Sequence, residues 1–296
     1  MSDRALLLAF SEYSEPAKQL ATLLDIKFAE IAVHQFPDGE SKITLPEYLA
    51  ESVIICQSLH HPNTKLVELF LAAGSARKRG VKQLILVAPY LCYMRQDKAF
   101  HPGEVVSQTI IGQLMANQFD AVITVDAHLH RVRNLSEAIP LAHAINLTAT
   151  VPMAVFLKAQ LENPLLLGPD SESGQWVAEI AAHDNLDYAV ASKQRFSDRD
   201  VRVSLPAISF TGRHIVLVDD VASTGKTLLA VAEALQEHQP ASINVLVNHA
   251  LFVEDAIDQL KTVGVNHIWS CDSIPHTTNC ISLAPLLSEE VSKLLR

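Results

Sequence analysis

Apolar bursts of strand length alternate with segments of helical period along the whole chain. The bursts predict strands at Ala5–Phe10, Ser52–Gln57, Gln83–Ala88 and Ala121–Val125 in the first half. In the second half they predict strands at Leu165–Leu167, Tyr188–Ala191, His214–Val218 and Ile243–Val247. Between them, Asn63–Arg79, Glu104–Gln118, Gly174–His183 and Thr227–His238 space their apolar residues as a helix does. Val/Ile/Leu-rich strands separated by helices predict an α/β protein whose mainly parallel sheets are covered on both faces. Ligands of such sheets bind at the carboxyl ends of strands. The polar residues just after each burst are therefore where chemistry is expected.

Neither half repeats the other as a sequence. The stretch from Ile139 to Pro152, small residues with two prolines, places a division near residue 145, giving domains 1–145 and 146–296. A chain of 296 residues holds two domains of ordinary size. Apolar content of 49% against 19% charged residues predicts large buried cores rather than disorder. The formal charge of −10 argues against nucleic acid as the main partner, because phosphate contacts dominate that affinity. Phosphorylated small molecules stay open, since they need only a local positive field. Cys56, Cys92, Cys271 and Cys280 lack metal-ligand spacing and read as reduced thiols of a cytoplasmic protein. Ala5–Phe10 reads as a first strand rather than a signal peptide. No apolar stretch reaches membrane-spanning length.

The richest stretch runs from Ile215 to Thr227. Four β-prone residues deliver Asp219 and Asp220, then a short loop, Ser223-Thr224-Gly225-Lys226-Thr227, leads into a helical segment. Backbone N–H groups at such a loop and helix start hold an anion. The acidic pair suits hydroxyls or a hydrated metal. A ribose phosphate satisfies both ends. A Walker A loop would need glycine five positions before Gly225, where Asp220 stands, so that reading fails. The plainer alternative is a helix capped by Ser223 or Thr224.

Other constellations also follow strands. Phe36-Pro37-Asp38-Gly39-Glu40 places an Asp-Gly turn between extended segments. It is either a simple hairpin turn or a base site, with Phe36 stacking and Asp38 and Glu40 accepting from an amino group. The segment from Pro89 to Glu104 is rich in aromatic and charged residues, and its Arg95 and Gln96 suit a nucleotide clamp or an oligomer contact. Asp126 and His128 would share one side if the strand continued past Val125, which favours a metal or phosphate contact. Gly168-Pro169-Asp170-Ser171-Glu172-Ser173-Gly174 suits either a pyrophosphate cradle, with Asp170 at the metal, or a helix start capped by an acid. Lys193 and Arg195, at alternate positions after a strand, would point together and stabilise charge on a transferring group; alone, a solvated basic face explains them as well.

Taken in order, these pieces resemble the ribose-phosphate diphosphokinase family of the type I phosphoribosyltransferase fold. The resemblance runs from Phe36 to the end through FPDGE at 36–40, PYLCYMRQDK at 89–98, PGE at 102–104, VDAH at 125–128, GPD at 168–170, KQR at 193–195, VDDVASTGKT at 218–227 and LAPLL at 283–287. The STG loop is similar to archaeal-type members. The resemblance implies two phosphoribosyltransferase-like α/β domains, with the substrates meeting between them. It implies transfer of the diphosphoryl group of Mg-ATP to the C1 hydroxyl of ribose 5-phosphate, releasing AMP. Phe36, Asp38, Gly39, Glu40, Arg95 and Gln96 would bind ATP, and His128 and Asp170 would engage Mg²⁺. Asp219, assisted by Asp220, would hold ribose hydroxyls. Ser223, Thr224, Gly225, Lys226 and Thr227 would wrap the 5-phosphate with help from Arg195. Lys193 would be the principal catalytic residue. Family members are homo-oligomers whose adenine pocket a neighbouring clamp completes.

Departures from the family pattern are Glu172 in the pyrophosphate loop, Lys226 in the phosphate loop, Ala99 after the clamp, and His130-Arg131-Val132-Arg133-Asn134-Leu135 in place of a Gln-Ile-Gln-Gly-Phe-Phe run. They leave open a catalytically weak, nucleotide-binding homologue that partners a true synthetase. A phosphoribosyltransferase, the third reading, has no use for the RQD clamp.

Overall fold

In the computed structural model, residues 2–129, 131–195 and 201–296 are described, the side chains of 2–3, 193–195 and 201–202 excepted. The chain forms two compact units, Met1–Thr148 with Leu283–Arg296, and Ala149–Ser282. The first unit carries β1 (Ser2–Phe10), α1 (Ser14–Leu23), β2 (Ile26–Gln35), β3 (Ser41–Thr44), β4 (Ser52–Cys56), α2 (Pro62–Lys78), β5 (Gln83–Val87), α3 (Ser107–Ala116), β6 (Ala121–Val125), α4 (Leu135–Ala138) and β7 (His143–Leu147). The second carries α5 (Thr150–Gln160), β8 (Leu165–Gly168), α6 (Gly174–Asp184), β9 (Tyr188–Val190), β10 (Ser192–Arg195), β11 (Val201–Ser204), β12 (His214–Ala222), α7 (Lys226–Gln236), β13 (Ser242–Ala250), α8 (Ala256–Thr262), β14 (Val265–Cys271) and β15 (Asn279–Ile281). The last helix, α9 (Ala284–Leu294), returns to the first unit.

The first sheet has strand order β3-β2-β1-β4-β5-β6-β7, parallel except for the β2–β3 hairpin. The second has order β15-β14-β13-β12-β8-β9, all parallel. Removing hairpin strand β3 leaves one topology in both. The opening strand is central, the next lies on one side, and the remaining four step away on the other. The order therefore reverses between β1 and β4, and again between β8 and β12. Those reversals are the topological switch points at which open α/β sheets bind ligands.

The periodicity that marked the helices is the one that buries them. On α2, Leu66, Leu69, Ala72, Ala73 and Ala76 face the core, and on α7 Leu228, Val231, Ala232 and Leu235 do so. Central strands such as β5 and β6 are buried on both faces, which is why they read as unbroken apolar runs.

The division differs from the expected one at the chain end. Residues 283–296 were expected with the second domain, yet α9 buries Ala284, Leu287 and Val291 and lies against α1. The Gln83 side-chain amide also donates to the Leu294 carbonyl at 3.0 Å. Each leucine or valine so buried contributes roughly 1.5–3 kcal/mol, enough to hold the segment there. All four cysteines are free thiols. No helix among the described residues is long and apolar enough to cross a membrane.

Candidate active site

The second unit brings Asp170, the Asp219–Asp220 pair and the loop from Ser223 to Thr227 to its switch point. Strand β12 continues through the acidic pair to Ala222, four residues further than the apolar burst suggested. Asp219 and Asp220 are therefore neighbours within a strand, and their carboxylates interact at its carboxyl end. Their backbone follows suit: the Asp220 N–H donates to Asp219 Oδ1 at 3.0 Å, and the Val221 N–H donates to Asp220 Oδ1 at 2.8 Å.

Asp170 arrives from the loop after β8. Its Oδ1 accepts from the Glu172 N–H at 3.1 Å, and its carbonyl accepts from Ser173 Oγ at 2.7 Å. Gly168 makes this turn possible, because a Cβ there would lie 2.6 Å from Ser173 Oγ. The capping alternative does not hold: Ser173 is the N-cap of α6, and no side chain caps that helix. Glu172 points to the exposed side of the loop.

Burial, then Asp220, then Asp170 push the Asp219 carboxyl well above the usual carboxylate range. Three carboxylates this close repel, and a divalent cation or a set of sugar hydroxyls relieves that repulsion. No three His, Cys, Asp or Glu side chains among the described residues converge as a metal cage. Mg²⁺ does not need one, since it commonly binds through one or two carboxylates, waters and substrate phosphates.

The loop after β12 ends at Gly225, which takes φ +66 as the N-cap of α7. Neither Ser223 nor Thr224 caps the helix by a side-chain hydrogen bond, contrary to the plainer reading of this stretch. The loop is tied instead by its carbonyls. Ala222 O accepts from Leu251 and Phe252 N–H, and Ser223 O accepts from Val253 N–H at 3.0 Å. The first turn of α7 thus opens beside the acids, with Lys226 exposed at its start and Thr227 half-buried. This is an anion cradle beside a hydroxyl- or cation-seeking cluster.

Strand β10 runs antiparallel to β11, with Lys193 opposite Val203 and Arg195 opposite Val201. The side chains of Lys193 and Arg195 lie outside the described residues, as does His130.

In the first unit, the Phe36–Glu40 segment is the turn of the β2–β3 hairpin. The Phe36 N–H donates to Glu40 O at 2.8 Å, the Gly39 N–H to Phe36 O at 2.9 Å, and the Glu40 N–H to Asp38 Oδ1 at 3.1 Å. Gly39 adopts φ +93, which a side chain would strain. Phe36, Asp38, Gly39 and Glu40 are all exposed, with Phe36 edge-on to the His34 ring. The clamp, 89–104, has no regular structure. Arg95 is exposed, while the Gln96 amide donates to Lys98 O at 3.0 Å. Glu104 organises the far side, accepting from the Phe100 N–H and contacting His101 Nδ1, each at 2.6 Å.

His128 is half-buried beyond β6. The extension expected to carry Asp126 and His128 on one side stops at Val125, because Asp126 turns to φ +43 and its N–H donates to Leu147 O at 2.8 Å. His128 belongs to the first unit and Asp170 to the second.

Two residues with structural weight at the clamp escaped the sequence reading of site residues. Asp97 is a clamp residue whose side chain is buried and paired to Arg131. The RQDK string contained the signal for Asp97. Arg131 lay in a run where the family pattern is absent, so only contact reveals it.

An α/β unit with an acidic strand end, a glycine-started helix beside it and a tight loop after the neighbouring strand is of the phosphoribosyltransferase type. The family model for the phosphoribosyl transferase domain matches residues 147–281, and that for the N-terminal domain of ribose phosphate pyrophosphokinase matches residues 5–118. The chain is 30% identical over 292 residues to the ribose-phosphate pyrophosphokinase of Methanopyrus kandleri, covering 98% of this chain and 99% of that protein. It is 29% identical over 282 residues to that of Sulfolobus acidocaldarius, covering 93% and 95%. The crystal structure of the Mycobacterium smegmatis phosphoribosylpyrophosphate synthetase has the same fold, with a TM-score of 0.83 at 20% identity over 98% of each chain. The chain belongs to the ribose-phosphate pyrophosphokinase family.

Proposed function

We propose that this enzyme transfers the diphosphoryl group of Mg-ATP to ribose 5-phosphate, giving 5-phosphoribosyl 1-diphosphate and AMP. The C1 hydroxyl oxygen attacks the β-phosphorus, the bond from that phosphorus to the α–β bridging oxygen breaks, and the hydroxyl proton passes to solvent. The observation that carries the reading is the convergence of Asp170, Asp219 and Asp220 with the α7 loop on one switch point. That arrangement matches a sugar phosphate whose hydroxyls lie beside its phosphate.

Asp219 holds the ribose hydroxyls, with Asp220 behind it in the strand, and Ser223 to Thr227 bind the 5-phosphate with Arg195. Phe36, Asp38, Gly39, Glu40, Arg95 and Gln96 bind ATP. His128 and Asp170 are the residues that would hold Mg²⁺, which supplies charge neutralisation on the phosphates. Lys193 stabilises charge on the β-phosphoryl group and the departing AMP oxygen, so catalysis is positioning and electrostatics. Assembly into a homo-oligomer is supported by exposed apolar residues, Phe100 in the clamp and Val105 just after it, Val67 and Leu71 on α2, and Ile110 and Leu114 on α3.

The test is AMP release from Mg-ATP with and without ribose 5-phosphate. AMP that appears only with the sugar phosphate supports the assignment. Nucleotide binding without AMP release would instead favour a regulatory homologue.

A further inference from the structure

The two units share a topology, and their switch points carry opposite chemistry. In the second unit the ends of β8 and β12 bring Asp170, Asp219 and Asp220 together. In the first, the corresponding ends of β1 and β4 bring together Glu12, Ser58, His60 and, from the first turn of α2, Lys65. This cluster adjoins the clamp, since the Leu59 N–H donates to the Tyr90 carbonyl at 2.9 Å and Cys92 acts on Lys65, but it contains none of the residues to which the proposed reaction assigns a role.

Its geometry is a buried donor set closed by one carboxylate. Lys65 Nζ lies 3.2 Å from the Ser58 carbonyl, 3.3 Å from the His60 ring nitrogens and 2.5 Å from Glu12 Oε2. Glu12 Oε1 lies 3.1 Å from His60 Nε2, and Ser58 Oγ lies 3.1 Å from His60 Nδ1. The Lys65 and His60 side chains are 13% and 9% exposed, whereas that of Glu12 is 44% exposed. Glu12 also sits on a three-residue turn between β1 and α1 rather than within an element. The cluster therefore holds a cation largely shielded from water, and the carboxylate that closes it is a half-exposed side chain on a short connection.

We infer that this switch point is a second oxyanion site, for a phosphoryl group, in which the Glu12 carboxylate occupies the place of two phosphoryl oxygens and is displaced when the ligand binds. Lys65 supplies the charge, His60 Nε2–H and Ser58 Oγ–H supply directional donors, and a tetrahedral dianion satisfies all three where a carboxylate reaches two. Around the pair, His61, Glu68 and Cys92 are the other titratable groups whose charge reaches it. Burial, then Lys65, lowers the His60 pKa to about 4, and burial lowers that of Lys65, so an incoming dianion meets a neutral imidazole and a poorly hydrated ammonium.

His60 reports on this site alone. The experiment follows its imidazole resonances in the full chain during titration with inorganic phosphate, and separately with ribose 5-phosphate, at fixed pH and ionic strength. The expected result is a saturable shift with a raised His60 pKa. Glu12→Gln removes the internal competitor and should tighten binding about tenfold; Lys65→Met should abolish the shift. A response to inorganic phosphate alone assigns the free ion, and a response to both assigns any phosphoryl group. A response to ribose 5-phosphate alone assigns a sugar phosphate. Resonances unmoved by either ligand in both wild type and Glu12→Gln would overturn the proposal. So would a shift that survives in Lys65→Met.

Discussion

The Arg131 guanidinium holds Asp97 at 2.6 Å through one carboxylate oxygen, and the Asp97 side chain is only 1% exposed while that of Arg131 is 47% exposed. Among the described residues, the second Asp97 oxygen is buried without a hydrogen-bond partner. The clamp thus rests on a buried anion that one half-exposed cation neutralises. Phe100 lies over this arrangement, with Arg131 and Lys98 on its ring at 5.8 and 4.6 Å. Arg131→Ala leaves the carboxylate unpaired, a loss of about 1–3 kcal/mol. It should also raise the Michaelis constant for ATP several-fold while sparing that for ribose 5-phosphate. Denaturant unfolding and steady-state kinetics check both parts; an unchanged ATP constant would show that the pair supports the fold and not the clamp.

Asp219 makes stability depend on pH in a defined sense. Its folded pKa lies above the unfolded value of about 3.9, so the folded state binds the proton more tightly. The stability due to protonation is present below the unfolded value and is lost as pH rises through the folded one. Asp219→Asn should therefore match wild type in acid and exceed it at pH 8 in metal-free buffer. Added Mg²⁺ should narrow that gap by stabilising wild type. Unfolding midpoints across the pH range decide it, and a gap independent of pH would remove Asp219 as the cause.

The ribose-hydroxyl role separates the two substrates. Asp219→Ala should raise the Michaelis constant for ribose 5-phosphate by at least tenfold, the order expected for one lost charge-assisted hydrogen bond. The constant for ATP should change little. Equal increases for both substrates would contradict the role.

Gly168→Ala tests the turn that positions Asp170. The added methyl meets Ser173 Oγ at 2.6 Å and Val177 Cγ2 at 3.3 Å, so Ser173 must abandon the Asp170 carbonyl. Overpacking of this kind costs about 1–3 kcal/mol. The variant should remain folded by circular dichroism and lose most of its turnover. Full activity would mean that Asp170 is placed by something other than this turn.

Lys193→Ala should abolish turnover while leaving most ATP binding intact, because a group that acts in the transition state contributes little to the ground-state complex. Equilibrium binding of ATP alongside the turnover number provides the check. An unchanged turnover number would sink the assignment.

Several of the turns around the candidate site were legible because turn chemistry is local. Asp-Gly at 38–39 does form the hairpin turn, and Gly225 does start a helix beside an acidic strand end. What failed was the assumption that a strand ends where its apolar run ends. β12 carries its two acids inside the strand, since its ladder with β13 continues through Val221 and Ala222. The reverse happened at β6, where Asp126 leaves the extended region although the pattern allowed it to continue. Elements without a strong apolar period also escaped notice. β2 buries only Ile26 and Ile31 of its ten residues, and edge strand β7 is half-buried or exposed throughout, so neither carries a continuous apolar run.

The sequence by itself determined the α/β class, the run of parallel central strands and the identity of the post-strand loops. Each of these is encoded in hydrophobic period or in turn residues within a dozen positions. Only the tertiary structure decided which loops share a switch point, that α9 closes the first unit, and that Asp97 depends on Arg131 across 34 positions. Such relationships join residues distant along the chain. They depend on strand order, and a local pattern of apolar and polar residues does not specify which strand lies beside which.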